Sequence, residues 1–127
     1  MPKKVLMAAI LTSLLSACQQ QAAVPTSAQI ALAEQARPDD PALSQIYQRS
    51  CISCHTSLSS TAPIVGFSPA WKPRLAQGMT VLVQHAREGY KAMPPKGFCS
   101  DCSDQDLQKL IEFMSSPVTE KTGKERT

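Results

Sequence analysis

Residues 51 to 55 read CISCH, two thiols three positions apart with an imidazole directly after the second. Three kinds of chemistry use such a set. Written Cys-x-x-Cys-His, it is the pattern in which two thiols add across the vinyl groups of a haem as thioethers while the adjacent histidine is placed under the iron. As a bare Cys-x-x-Cys it can be a dithiol redox centre, which belongs at the start of a helix in a strand–helix–strand context. Joined with the second pair, CSDC at 99 to 102, it can be a four-cysteine zinc site. Here 44 residues lie between the pairs, against roughly 15 to 20 in that spacing pattern.

The segments around these residues decide where they work. The chain opens Met-Pro-Lys-Lys, and residues 5–15 are apolar except for Thr12 and Ser13. That is the charged and apolar start of a signal peptide, too short for a membrane span, which needs about 20 apolar residues. It ends in LSAC, residues 15–18, which resembles the lipobox of bacterial lipoproteins. In such proteins the cysteine is acylated on sulfur and becomes the first residue after cleavage, so residues 1–17 would be removed and Cys18 would be the anchor. Ordinary cleavage near Ala17 is the alternative. Either route exports the chain to the periplasmic side of a bacterial membrane.

Residues 19–40, rich in Gln, Ala, Ser and Pro and free of aromatics, read as a flexible tether continuing from Cys18, with a root-mean-square reach of roughly 25 Å. A helix over residues 28–36 is the alternative that the alanines permit. Residues 117–127 are polar and charged, and read as a frayed tail.

What remains, residues 41–116, is one small domain. Small domains bury too little surface to be comfortable, and the whole chain holds six aromatic residues, so a disulfide, metal or buried cofactor is expected to supplement the core. Asp40 as N-cap with Pro41 behind it opens a helix carrying Leu43, Ile46 and Tyr47 at helical spacing into Cys51. Thr80 can cap a second helix, ending at Gly89. Ser103 with Asp106 three residues on forms a capping box for a third, whose Leu107, Leu110, Ile111 and Met114 make one stripe before Pro117. Ser68–Pro69 can begin a short helix that Pro73 makes irregular. No run alternates as a strand should. The domain reads as all-α, which counts against the dithiol redox reading.

Five cysteines leave one odd thiol. Setting aside Cys18 and the two candidate haem thiols leaves Cys99 and Cys102, which can pair; a bridge over so short a loop contributes about 2 kcal/mol by loop entropy.

Taken in order, CISCH, AP at 62–63, Trp71 with Pro73 and Arg74, HAREGYKAMPPKG, CSDC and the closing LIEFM resemble a class I cytochrome c of the cytochrome c5 type over roughly residues 42–115. The resemblance implies three to four helices around one covalently bound haem c, the first and last helices crossing, and one-electron transfer rather than catalysis. It places thioethers on Cys51 and Cys54, the proximal ligand on His55 with Pro63 accepting from its other ring nitrogen, and the sixth ligand on Met93. Trp71 and Arg74 would reach the haem propionates. Met79, Met114 and His85 are the rival ligands; Met114 sits on an apolar stripe, and an isolated helical histidine is usually packing.

Residues 56–98 carry five bases against Glu88 alone, and residues 99–116 carry four acids against Lys109. Such an asymmetry can steer an exposed haem edge to an acidic patch on a redox donor or acceptor, such as a respiratory membrane complex or another cytochrome. The bases are neither dense nor interleaved with aromatics, so no nucleic acid is expected. The competing function is a haem enzyme or sensor whose Met93 leaves the iron to admit a ligand.

Overall fold

The computed structural model describes residues 23–119. The expected signal segment 1–17, Cys18 and the last part of the tail lie outside the described residues. No helix among the described residues is long and apolar enough to cross a membrane.

The first helix, α1 (Ser27–Gln35), lies inside the stretch expected to be tether, and that expectation is corrected for these residues. Its start is locally encoded: the Thr26 side chain accepts from the Gln29 N–H at 3.2 Å, and the Gln29 side chain accepts from the Thr26 N–H at 2.8 Å. This is a capping box. The helix has little amphipathic signature, but Ala33 is fully buried, Ile30 and Ala36 pack against the core, and the Arg37 guanidinium sits 5.9 Å from the centre of the Tyr47 ring. The folded unit therefore begins well before residue 41.

Helix α2 (Pro41–Ser50) starts as its sequence dictates, with the Asp40 carboxylate accepting from the Leu43 N–H at 2.9 Å. It runs directly into a single turn, α3 (Ile52–His55), which carries the CISCH residues. Helix α4 (Ser68–Leu75) accommodates Pro73 inside it. Helix α5 (Met79–Glu88) starts one residue before Thr80, so the expected Thr80 cap is not made. Gly78 at φ +93° turns the chain instead, and the helix stops at Gly89, φ +87°. A 3₁₀ turn (Pro95–Phe98) leads to α6 (Asp104–Ser115), where the Ser103–Asp106 capping box forms in both directions.

All four stripe residues of α6, Leu107, Leu110, Ile111 and Met114, are buried. The helix packs along α5 and against α2. At the α2–α6 contact Tyr47 and Phe113 meet edge to face, centroids 5.1 Å apart and planes at 80°. No strand occurs among the described residues; one isolated bridge pairs Tyr90 with Met93. The fold is all-α, with α1 and the α3 turn added to the helices read from the sequence.

Candidate cofactor site

Within the described residues the side chains assigned from the sequence to the cofactor and the disulfide all line one cavity of about 290 Å³: Cys51, Cys54 and His55 from α3, Pro63 from the following loop, Trp71 and Arg74 from α4, Met93 from the loop after α5, and Cys99 and Cys102 before α6. Its wall is completed by apolar side chains, among them Leu82 and Ala86 of α5 and Leu107, Leu110 and Ile111 of α6. Sites for cofactors are generally such apolar clefts with a few placed polar groups.

His55 is buried and tightly specified. Its Nδ1 lies 2.9 Å from the Pro63 carbonyl, and because a carbonyl can only accept, Nδ1 carries the proton and Nε2 keeps its lone pair. Burial pushes the imidazole pKa below its ordinary value, opposed by the Pro63 bond. The ring is thus held neutral, the form that can ligate a metal. The neighbouring loop clasps the same residue: the Val65 N–H donates to the His55 carbonyl at 2.9 Å, and the Trp71 indole lies nearly parallel to the imidazole, 18° apart with centroids 6.1 Å away.

Trp71 lines the cavity from α4. Its indole N–H donates to the Ile64 carbonyl at 2.8 Å, and the side chain is buried. Indole has one donor, and in this structure the Ile64 carbonyl takes it, while the ring braces His55 on the cavity wall. Arg74 lines the cavity with one Nη donating to the Ala70 carbonyl, on its own helix.

Met93 is set by backbone geometry. The chain folds back so that the Tyr90 N–H donates to the Met93 carbonyl at 3.0 Å and the Met93 N–H to the Tyr90 carbonyl at 2.9 Å. Gly89 permits this: a Cβ there would lie 3.1 Å from the Met93 carbonyl and from Pro95. Gly97, at φ +57°, lets the loop pass the Ser50 carbonyl, to which a Cβ would come within 3.0 Å. Of the rivals, Met79 does not line the cavity. Met114 and His85 do line it, but Met114 is buried within the α6 stripe and His85 lies flat on Tyr90, centroids 4.0 Å apart. Tyr90 was not singled out from the sequence, where only the preceding glycine hinted at the turn that brings it to His85.

The thiols fall into two kinds. Cys54 is exposed and Cys51 half-buried, its pKa raised to about 11 chiefly by burial. Cys99 and Cys102 form a disulfide, Cα atoms 5.4 Å apart, which removes half the ligands of a four-cysteine zinc site. This small loop is tied down by the Arg49–Asp101 ion pair at 2.8 Å and by Lys96 Nζ donating to the Cys102 carbonyl at 2.7 Å. Arg49 also holds the Asp101 carboxyl below the usual carboxylate range. Two thiols, a neutral imidazole with a bare Nε2 and a thioether facing one apolar cavity are the donor set that a haem c requires.

Comparison with known proteins agrees with this donor set. Residues 38–114 match the family model described as cytochrome c oxidase, cbb3-type, subunit III. The chain is 45% identical over 67 residues to cytochrome c5 of Azotobacter vinelandii, covering 51% of this chain and 81% of the relative. Among solved structures it is similar to a mono-haem ferrocytochrome c from Shewanella putrefaciens, 40% identical with a TM-score of 0.54, over 65% of this chain and 99% of that one. It is also similar to a chain in an electron transfer complex of nitrite reductase with cytochrome c, 36% identical with a TM-score of 0.54, over 60% and 93% of the respective chains.

Proposed function

The chain belongs to the class I c-type cytochromes and resembles the cytochromes c5, with one covalently bound haem c, and from that premise we propose that it carries single electrons between redox proteins and is not an enzyme. When bound, the haem supplies a one-electron iron couple. Cys51 and Cys54 would hold it as thioethers, and His55 Nε2 and the Met93 sulfur are the atoms that would ligate its iron. The observation that carries this reading is the shared cavity: His55, with its tautomer fixed by Pro63, and Met93, with its backbone fixed by Tyr90 and Gly89, line the same apolar space.

A soft thioether favours the reduced iron and raises the potential, as suits a carrier. Pro94 and Pro95 remove backbone freedom behind Met93, which limits movement of the loop that carries its sulfur. Arg74, half-buried on the cavity wall, is the residue that would hold an acidic group of the cofactor. Partners are other redox proteins, a reading supported by the nitrite reductase complex of the structural relative. The site of action is the periplasmic face of a bacterial membrane, with a diacylglyceryl group on Cys18 as anchor; Cys18→Ser is expected to move the protein to the soluble fraction with its haem spectrum unchanged.

Carbon monoxide difference spectroscopy tests the carrier reading. The unmutated ferrous protein is expected to resist carbon monoxide. Met93→Ala is expected to bind it, with a lowered reduction potential and the thioether links intact, whereas Met79→Ala should behave as the unmutated protein. Ready binding by the unmutated protein would transfer the assignment to a ligand-binding sensor or enzyme.

A further inference from the structure

A second cavity, of about 190 Å³, lies behind Pro63 and is lined by Ala23, Pro25, Leu58, Phe67 and Arg74 among others. It shares the loop of residues 60–63 and Arg74 as a common wall with the cofactor cavity, while Tyr90, Lys91 and Phe98 line only the latter. Two exposed aliphatic side chains belong to this region: Leu58, 60% exposed, lines the groove, and Val24, 72% exposed, sits between two lining residues. No residue lining the groove is acidic, and Arg74 is basic.

The chain leaves this face toward Cys18, which stands only five residues before Ala23. Five residues extend at most about 18 Å. A domain of this size is roughly 30 Å across. Because α1 is clamped by its capping box and by the burial of Ala33, and Ala23 and Pro25 line the groove beside Leu58, the leash ahead of this face is shorter than the domain it holds.

We propose that the face formed by residues 23–25 and Leu58 rests on the lipid surface, with Val24 and Leu58 entering the headgroup region. This rests on the reading of Cys18 as the lipid-bearing residue. Exposed apolar side chains on a face whose groove has no acidic lining suit that boundary. The Tyr90–Phe98 rim, which lines the cofactor cavity and not the groove, is then left to redox partners. The short attachment fixes which side of the protein meets the membrane, so partners dock from the aqueous side rather than at any angle.

The test uses the haem-loaded lipoprotein in vesicles of phosphatidylethanolamine and phosphatidylglycerol containing a nickel-chelating lipid. Nitroxide labels are placed through Leu58→Cys, through Val24→Cys as a second position on the face, and through Gln105→Cys at the exposed start of α6. Relaxation by nickel is measured against the same label in the soluble Cys18→Ser protein. Strong enhancement at 24 and 58 with little at 105 is the expected result. Mass spectrometry of the N-terminal peptide accompanies it: an acylated protein with equal enhancement at all three positions overturns the orientation alone, and a protein without acyl on Cys18 overturns both readings.

Discussion

Tyr47 is fully buried at the α2–α6 contact, and its hydroxyl has no hydrogen-bond partner. Replacing it by phenylalanine keeps the ring, and with it the edge-to-face contact to Phe113 at 5.1 Å, which is worth about 0.5–1.5 kcal/mol beyond area burial. What is lost is a desolvated oxygen whose burial costs about 1–3 kcal/mol. Tyr47→Phe is therefore expected to stabilise the haem-loaded protein by about 1 kcal/mol, raising Tm by about 4–8 °C in a domain of this size. Guanidinium denaturation followed by circular dichroism reads the gain, with an unchanged slope showing that the denatured state is not altered. The pH dependence supplies an independent check. Burial raises the phenol from 10.0 to about 12, so between these values the unfolded chain releases a proton that the folded chain keeps. The associated stability is complete below pH 10 and is lost as pH rises toward 12. The phenylalanine protein should lack that fall. A less stable Tyr47→Phe, or the same alkaline loss in both proteins, would refute the reasoning and place a partner, such as a bound water, on the hydroxyl.

Gly89→Ala is expected to cost about 1–3 kcal/mol through its φ of +87°. Its Cβ presses on the Met93 carbonyl and Pro95, so ferrous carbon monoxide binding should appear. Gly78→Ala, at φ +93° with nothing within 4 Å of the added carbon, should show the stability loss in a thermal melt without carbon monoxide binding. Ser103→Ala removes half of the α6 capping box and should cost about 1 kcal/mol by chemical denaturation. The Ser103 bonds hold the Asp106 carboxyl below its ordinary pKa, so that contribution is present above the ordinary carboxylate range and lost as pH falls through the depressed value; the alanine variant should show a shallower acid loss.

Local chemistry was legible in the sequence because it acts over a few residues. CISCH occupies one helical turn, Asp40 and Ser103 satisfy N–H groups three positions on, and Gly89 ends α5 with a positive φ. The apolar stripe of α6 followed from periodicity, and the all-α class from the absence of alternation. The tertiary structure decided what depends on neighbours remote in the chain. α1 has a weak amphipathic pattern, so only the core that buries Ala33 distinguishes it from a tether. Thr80 offers a good cap, yet Gly78 at φ +93° lets the helix begin at Met79 and the threonine is left inside the first turn. The Trp71 indole has one donor, and its use is settled by the Ile64 carbonyl, 2.8 Å away. A residue's type fixes what bonds it can make; packing fixes which of them forms, because a buried donor takes the acceptor that the fold brings within reach.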